Sequence, residues 1–410
     1  MNYLKILIVS QHFYPENFRV NSIASSLVTL GFDVTVLTGM PNYPVGKLFN
    51  GYAKSWLKRD SYLGVNVLRV PIFLRGKASN LSLILNYTSF VISAIVFGMW
   101  KLKKQYDVVF CYATSPILQA IPAIYIAKKN HAAMVLNLQD LWPESISATN
   151  RIHSSLILWF LSKIVGWIYH HSQLILMQSE AFKASILRSS PNARLRYWPN
   201  SVDPIFYRGT SDKIPKNLEE IYAGGFFTIT FAGNIGSAQS VETIIDAAEI
   251  LLEEKRIRII ILGDGSKRSW ALMQKEKKNL ENTFLPGSYP EKMMQTIYQR
   301  SSCLLVTLAN HEIFTLTIPN KIQGYLATGR PIIGSLNGAG ADVIRNAGAG
   351  FVAPAENPSI LANIILATSK MSQASLDEFG ENGKRYFMTH FEHELLMVQL
   401  GDIFKGLARS

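Results

Sequence analysis

Short apolar runs alternate along this chain with longer segments that carry apolar residues at helical spacing. Continuous apolar runs are typical of parallel β-strands covered on both faces, because neither face of such a strand meets water. The helical segments between them would supply that cover. In the first half the pattern predicts strands at residues 5–10, 33–38, 65–72, 108–113, 134–140, 174–179 and 195–200.

The alternation restarts after a stretch rich in Pro and Gly at residues 203–216. The second series predicts an α/β fold of two Rossmann-like doubly wound domains, residues 1–205 and 206–390, which face each other across a cleft. A helix at residues 391–410 is expected to pack back toward the first domain. Ligands of such sheets bind beyond the carboxyl ends of the strands. The strands of the second series are predicted at residues 228–234, 257–265, 303–308 and 331–336.

Composition narrows the class of protein. A chain of 410 residues with 48% apolar residues can form about two cores. Its only cysteines, Cys111 and Cys303, exclude a disulfide scaffold and a four-cysteine zinc site. The first residues continue directly into an apolar strand without a leader-like pattern, so a cytoplasmic location is expected.

The net charge of +12 is placed unevenly. The first 207 residues contain 20 Lys and Arg against 8 Asp and Glu, whereas the remainder contains 21 of each. This asymmetry indicates an anionic partner for the first half. Since no zinc-finger spacing, RNP motif or compact basic repeat is present, an anionic membrane surface is favoured and nucleic acid is not expected.

Two apolar stretches support the same partner. Residues 81–100 are long enough to cross a bilayer and are followed by Lys101, Lys103 and Lys104. A second stretch covers residues 155–169. Polar residues interrupt the first stretch, which counts against a transmembrane helix. A buried core helix and a transmembrane helix are the alternatives to the favoured interpretation, a helix at the membrane interface, which would make the protein peripheral.

The segment TIPNKIQGYLATGRPII has the strongest chemical signal. Pro319 favours the first turn of a helix, and Gly329 is placed to end it. A helix that begins with Asn320 and Lys321 can bind a phosphate, because its backbone N–H groups and dipole favour anions and Lys321 adds a full charge. An ordinary solvated helix start is the alternative.

Two strand ends of the second series carry glycine turns. FAGNIG ends at Gly236, and ILGDG is followed by Lys267. Such turns let backbone approach a phosphate, although each also suits a simple strand-to-helix turn.

Polar side chains also follow strands of the first half. Asn17 and Arg19 are candidates for an anion or the acceptor side. QDLWPES places Asp140 and Glu144 at a carboxyl edge, where they would act as acid, base or partners of sugar hydroxyls. Trp142 offers an apolar ring for a sugar. A helix cap by Asp140 is the alternative. No Walker A sequence, Ser–His–Asp elbow or metal-ligand spacing is present.

These motifs, together with VETIIDAAEIL, PGSYP and PNSVD, occur in an order that resembles the family 4 glycosyltransferases over nearly the whole chain. More narrowly, DLWPES and IPNKIQGYLATGRPI are similar to bacterial O-antigen or capsule enzymes, among them N-acetyl-L-fucosamine transferases. The resemblance implies a GT-B fold and transfer of a sugar from a UDP-sugar with retention. It implies no cofactor and no bound metal, since the UDP-sugar is itself the substrate.

The resemblance assigns roles to residues. The first domain would bind a polyprenyl-pyrophosphate-linked saccharide as acceptor, and the second would bind the nucleotide sugar. Lys321, Asp140 and Glu144 would be catalytic. The nucleotide-sugar site would comprise Asn234, Gly236, Lys267, Gly287, Ser288, Thr317, Asn320, Lys321 and Gln323.

The chain departs from the family pattern at two places. Many members carry two glutamates eight positions apart, and here Leu316 and Gly324 stand at those positions. Gln323 is the neighbouring group that would serve the ribose. The usual glycine pair after the first strand is replaced by residues 16–19. A UDP-N-acetylhexosamine 2-epimerase of the same fold and a non-catalytic nucleotide-sugar-binding partner are the alternative functions.

Overall fold

The computed structural model describes residues 3–52, 57–76, 79–102, 105–145, 154–207 and 213–409. Lys103 and Lys104 of the basic flank and residues 208–212 of the predicted linker lie outside the described residues. The chain divides into two compact units, Met1–Pro199 with Glu394–Ser410, and Asn200–His393. The first unit therefore ends six residues before the predicted boundary at 205, and the chain from Glu394 belongs to it.

The first unit contains an eight-stranded sheet in the order β3-β4-β2-β1-β5-β6-β7-β8. All neighbouring strands are parallel except the edge strand β3, which is antiparallel to β4. The pattern did not predict β3, because KRDSY is polar. The strands are β1 (Lys5–Val9), β2 (Asp33–Gly39), β3 (Lys58–Tyr62), β4 (Val65–Val70), β5 (Val108–Ala113), β6 (Ala133–Leu138), β7 (Leu174–Met177) and β8 (Leu195–Tyr197).

Within the described part of the chain, six helices belong to the first unit. The last of them follows the second unit in sequence and packs with Phe404 against Phe32 and Phe110. The helices are α1 (Val20–Thr29), α2 (Asn80–Lys101), α3 (Ala120–Asn130), α4 (Ser155–His170), α5 (Lys183–Ser189) and, at the end of the chain, α16 (His393–Leu407).

Helix α2 has two apolar faces with different surroundings. Leu83, Phe90 and Ala94 are buried at spacings of about two turns and one turn, on one face of the helix. The opposite face exposes an apolar stripe. By length and composition the helix is able to cross a membrane, and only 28% of its apolar segment is buried. The stripe consists of Leu81, Leu85, Ile92, Val96 and Trp100.

Asn86 explains why a polar residue interrupts this apolar helix. Its side chain is fully buried, and its Oδ1 accepts a hydrogen bond of 2.7 Å from Nε2 of Gln11. Its Nδ2 donates to the carbonyl oxygen of Phe73. Gln11 lies directly after β1, and its own N–H donates to Oε1 of Gln119 at 2.9 Å. Helix α2 is therefore fixed to the loop that follows the central strand.

The second unit contains a six-stranded, fully parallel sheet in the order β11-β10-β9-β12-β13-β14. This is the doubly wound order in which the direction of winding reverses between the first and fourth strands. Two strands, β11 and β14, were not predicted. The strands are β9 (Phe227–Ala232), β10 (Ile257–Leu262), β11 (Thr283–Gly287), β12 (Cys303–Thr307), β13 (Ile332–Ser335) and β14 (Gly350–Ala353).

The helices of this unit cover both faces of its sheet, and two apolar clusters lie between sheet and helices. The helices are α6 (Pro204–Tyr207), α7 (Lys216–Tyr222), α8 (Val241–Ile250), α9 (Arg268–Lys277), α10 (Glu291–Arg300), α11 (Glu312–Leu316), α12 (Asn320–Thr328), α13 (Ala339–Asn346), α14 (Pro358–Ser369) and α15 (Gln373–His390).

Each sheet thus has one switch point, where helices leave its strands toward opposite faces. It lies between β1 and β5 in the first unit and between β9 and β12 in the second. Crevices beyond the carboxyl ends of such strand pairs are where open α/β sheets bind ligands.

We expect Asn86→Leu to lower the free energy of unfolding by about 2–3 kcal/mol, because it leaves the buried amide of Gln11 without a partner and removes the hydrogen bond to the carbonyl oxygen of Phe73. Urea denaturation followed by circular dichroism measures this. Ile92→Leu on the exposed stripe is the control and should change stability by less than about 0.5 kcal/mol. Equal effects of the two variants would contradict a fixed buried network.

Candidate active site

Lys321 lies at the switch point of the second sheet. It is the second residue of α12, and its Nζ donates a 2.5 Å hydrogen bond to Oε1 of Gln239. The same ammonium lies 4.0 Å from the ring centroid of Phe231 in β9. Burial lowers the pKa of Lys321 to about 7. A desolvated cation with neutral neighbours favours an anion beside it, because an anion would restore the solvation that burial removes.

The glycine turns bring backbone to within contact of this cation. Gly233 follows β9 with a φ of +137°, and a Cβ there would lie 3.3 Å from Nζ of Lys321. Gly263 follows β10 with a φ of +132°, and a Cβ there would lie 1.8 Å from the carbonyl oxygen of Gly233. Larger residues at these positions would separate the two turns. The glycines therefore fix the surface around Lys321.

Other predicted residues of the nucleotide-sugar site lie around the same turns. Asn234 is exposed and Gly236 is buried. Gly287 ends β11, and its carbonyl oxygen accepts a 2.9 Å hydrogen bond from the N–H of Gly263. Ser288 is exposed directly after it. These residues follow β9 and β11, on both sides of β10, and so form one edge of the sheet.

Lys267 was predicted as a second cation for the diphosphate. Its Nζ instead forms a 2.7 Å ion pair with Oε1 of Glu242, at the start of α8. The pair is partly exposed, with side-chain exposures of 36% and 37%. Its charge is therefore compensated locally, whereas the ammonium of Lys321 has an uncharged amide oxygen as its partner.

The segment before α12 places the remaining predicted residues. Thr317 donates from Oγ1 to the carbonyl oxygen of Phe314. Asn320 begins α12, and its Oδ1 accepts a 3.1 Å hydrogen bond from Nδ2 of Asn200. Both side chains are thus engaged within the second unit.

The predicted ribose contact of Gln323 requires a correction. Gln323 is fully buried, and both polar atoms of its amide lack hydrogen-bond partners among the described residues. A side chain without exposed surface offers nothing to a ribose. The adjacent Gly324 packs close to Phe206, because a Cβ there would lie 3.4 Å from Cε1 of that ring. Spacing placed Gln323 near the site but could not show which side of the helix it faces.

In the first unit, Arg19 and Asp140 lie around Tyr112 at the carboxyl edge of β5. Burial raises the pKa of Tyr112, while a hydrogen bond and the charge of Arg19 lower it and the charge of Asp140 raises it. Burial also raises the pKa of Asp140, against a hydrogen bond from the backbone of Ser115. Asn17 is exposed in the loop before Arg19. The structure therefore brings Arg19 and Asp140, 121 positions apart in sequence, to one polar site.

Trp142 requires a second correction. Only 9% of the residue is exposed, and its Nε1 donates a 2.9 Å hydrogen bond to Oγ of Ser115. Its ring is part of the packed unit and is no open platform for a sugar.

Glu144 lies two residues further on. Its Oε2 is buried without a hydrogen-bond partner among the described residues. The nearby hydroxyl of Tyr169 is also buried and unpartnered there, and burial and the charge of Glu144 raise its pKa.

Sequence reasoning missed a buried pair in the loop after β1, His12 and Glu16, whose Nδ1 and Oε2 are 2.9 Å apart. The available signal was the replacement of the family's glycine pair by an acidic residue. Gln239, the partner of Lys321, was also missed, because it is 82 positions away in sequence. Among the described residues, no cluster of three or more His, Cys, Asp or Glu side chains is arranged to hold a metal ion.

Comparison with known proteins identifies the class of enzyme. Residues 18–206 match the family model "Glycosyltransferase Family 4", and residues 227–370 match "Glycosyl transferases group 1". The two models cover the two units separately. The chain is a glycosyltransferase of the GT-B fold. Its resemblance to family 4 is thereby supported, and the transferase interpretation is preferred to the epimerase.

One curated relative of this glycosyltransferase is the putative colanic acid biosynthesis glycosyl transferase WcaI of Escherichia coli (strain K12). The two are 22% identical over 350 residues, which cover 80% of this chain and 82% of WcaI. Sucrose-phosphate synthase from Thermosynechococcus elongatus has a TM-score of 0.73 at 16% identity, over 100% of both chains. Anabaena HepE, solved in complex with UDP and glucose, has a TM-score of 0.67 at 14% identity, over 98% of this chain and 100% of HepE. These solved structures establish the fold.

We expect Lys321→Met to change how stability depends on pH. The pKa of Lys321 is about 7 in the folded protein and about 10.4 in an unfolded chain. Between these values the unfolded state binds more protons, so the wild type gains at most about 1.4 kcal/mol per pH unit as the pH rises, and nothing below pH 7. Urea unfolding at several pH values measures this slope.

The variant should lose this contribution to the slope. Lys277→Met, which removes an exposed lysine of α9, is the matched control and should keep it. Parallel profiles for the wild type and Lys321→Met would show that the ammonium is not desolvated.

Proposed function

We propose that this glycosyltransferase transfers an N-acetylated amino sugar from a UDP-sugar, with retention at the anomeric carbon, to a polyprenyl-pyrophosphate-linked saccharide. The reaction would serve bacterial O-antigen or capsular polysaccharide synthesis, and it would need no metal or other cofactor. N-Acetyl-L-fucosamine is the first donor sugar to test. The name of WcaI, a colanic acid biosynthesis enzyme, and the UDP complex of HepE support the class of pathway and of donor.

The geometry around Lys321 carries this proposal. During transfer the bond between the anomeric carbon and the diphosphate oxygen breaks, and the diphosphate leaves with the electron pair. The acceptor oxygen bonds to the carbon, and its proton passes to the leaving diphosphate. Lys321, which lies beside the glycine turns after β9 and β10, would meet the charge that develops on the diphosphate. A preorganised cation in a desolvated site stabilises such charge strongly.

The first unit would bind the acceptor. Arg19 and Asp140 meet at Tyr112, and this combination of a cation with a carboxyl group of raised pKa suits hydroxyl and phosphate groups of a saccharide. Glu144 is kept as a candidate catalytic carboxyl group.

The deciding assay incubates the purified protein with UDP-sugars and a short-lipid GlcNAc-pyrophosphate acceptor, and follows products by mass spectrometry. A disaccharide product supports the proposal. A converted donor without acceptor would support epimerisation, and binding of UDP-sugar without turnover would support a non-catalytic role. Lys321→Ala should lower kcat/KM by about 10² or more.

In the same assay Lys277→Ala is the control for the loss of one lysine and should keep wild-type kcat/KM. A loss of less than about threefold in Lys321→Ala would exclude the diphosphate role, because a single preorganised donor to a developing charge contributes far more.

We also propose that the enzyme binds peripherally to the inner face of the plasma membrane. The exposed apolar stripe of α2 ends at Trp100, whose ring lies 3.3 Å from Nζ of Lys101. The start of α4 adds exposed Trp159 and Phe160, with Lys163 over the Trp159 ring at 5.5 Å. Aromatic and apolar side chains beside lysines are typical of helices at an anionic lipid interface, and the positive charge of the first half fits that partner.

Sedimentation with liposomes of phosphatidylglycerol at low salt tests this. The triple substitution Ile92→Ser, Val96→Ser and Trp100→Ser should reduce the bound fraction at least about fivefold, because it removes exposed apolar area that the membrane would bury and one aromatic anchor. A triple control on exposed residues of the second unit, Met273→Ser, Ile360→Ser and Met388→Ser, should bind as the wild type does. No sedimentation of the wild type would refute the proposal.

A further inference from the structure

A buried ionisable pair lies beside the switch point of the first sheet. His12 is 5% exposed and Glu16 is 2% exposed, and Nδ1 of His12 lies 2.9 Å from Oε2 of Glu16. Both belong to the loop after β1. Burying an imidazole and a carboxylate together is costly unless their hydrogen bonds are satisfied.

The carboxylate of Glu16 is well satisfied. Its Oε1 accepts hydrogen bonds from the N–H groups of Asn42 at 2.8 Å and Tyr43 at 2.6 Å. These residues follow β2, so Glu16 connects the loops after two neighbouring strands. Because Oε1 already accepts from two N–H groups, Oε2 is the oxygen that faces Nδ1 of His12.

The other ring nitrogen of His12 has a different situation. No described residue forms a hydrogen bond with its Nε2. This atom is also not among the fully buried unpartnered atoms of the described residues, so it retains some exposed surface. The ring is held by Phe18, stacked at 4.8 Å and 7°, and by Tyr43 at 5.4 Å. In the neutral tautomer that donates from Nδ1 to Glu16, Nε2 is a hydrogen-bond acceptor in a fixed position.

The rest of the loop is equally fixed. Ser10 donates from Oγ to the carbonyl oxygen of His12 at 2.9 Å, and the N–H of Gln11 binds Gln119, which follows β5. The loop is thus tied to both strands of the switch point. A simple clamp between the loops after β1 and β2 needs only the Glu16 carboxylate and the two N–H groups. It does not need an imidazole whose second nitrogen has no hydrogen-bond partner among the described residues.

We propose that His12 is an acceptor-binding residue, whose Nε2 accepts a hydrogen bond from a saccharide hydroxyl other than the one that reacts, and that Glu16 is its positioning residue. This rests on the proposed function, because the first unit is there assigned to the acceptor. Glu16 fixes the tautomer and the ring plane. The aromatic rings of Phe18 and Tyr43 restrict the imidazole further, so that little entropy is lost when the hydroxyl binds.

Steady-state kinetics with the GlcNAc-pyrophosphate acceptor test the proposal. His12→Asn should raise the KM for the acceptor about tenfold or more, with the KM for the UDP-sugar and the slow hydrolysis of the donor unchanged, because one buried hydrogen bond to a hydroxyl is lost. His131→Asn is the matched control. His131 is exposed with a left-handed φ of +52°, which Asn adopts readily.

Glu16→Gln separates positioning from clamping. The Gln oxygen can still accept from Asn42 and Tyr43, but its NH₂ group donates to Nδ1 and changes Nε2 from acceptor to donor. We expect a raised acceptor KM with an unchanged urea midpoint. An acceptor KM within twofold of wild type in His12→Asn, or equal losses for donor and acceptor, would overturn the proposal.

A binding readout keeps this proposal distinct from the proposed function. The ¹⁵N shift of the His12 ring, assigned by its loss in His12→Asn, should move when the GlcNAc-pyrophosphate acceptor is added without donor. A shift without turnover supports His12 and counts against the assigned donor. An unchanged ¹⁵N shift of the His12 ring at acceptor concentrations that saturate turnover would refute the role of His12. If there is no turnover, an unchanged shift on addition of the acceptor would refute it as well.

Discussion

The desolvated ammonium of Lys321 is the constraint on which the candidate site depends. It lies beyond β9 against the Phe231 ring and an uncharged amide oxygen, so burial is only partly compensated and the pKa decreases to about 7. The cost of such a group falls when an anion binds, because the anion replaces lost solvation. A cation that is costly to bury in the free protein is thus suited to binding an anion. This is the usual relation between perturbed groups and functional sites.

The backbone makes that position possible. The turns after β9 and β10 approach so closely that Gly263 has no room for a Cβ, and the missing side chain of Gly233 leaves space for the ammonium of Lys321. The contrast with Lys267 is informative, since its ion pair with Glu242 leaves its charge compensated. Two lysines at neighbouring strand ends therefore have different electrostatic roles, and only their partners distinguish them.

Sequence patterns predicted the parallel strands well where burial on both faces gives continuous apolar runs, as in β5 and β12. They failed for β3, which is a polar edge strand, and for the short β14, GFVA, whose first three residues are only partly buried. Lys321 could be found from Pro319 and Asn320, because helix starts have local signals. Its partner Gln239, the burial of Gln323 and the pairing of His12 with Glu16 could not be found, because side-chain direction and long-range contacts depend on packing.

The two switch points show how one topology supports different chemistry. In both sheets the winding reverses beside the central strand, and the loops after neighbouring strands meet there. In the second unit these loops are glycine turns, so backbone and one cation dominate. In the first unit the glycine pair of the family is replaced by a loop whose Glu16 needs the N–H groups after β2 and whose His12 needs Glu16. Where relatives have a flexible glycine pair, this loop thus holds an imidazole in a fixed position. A fixed imidazole suits the directional hydroxyls of a saccharide better than the diffuse charge of a phosphate, and this agrees with the acceptor role that is proposed for the first unit.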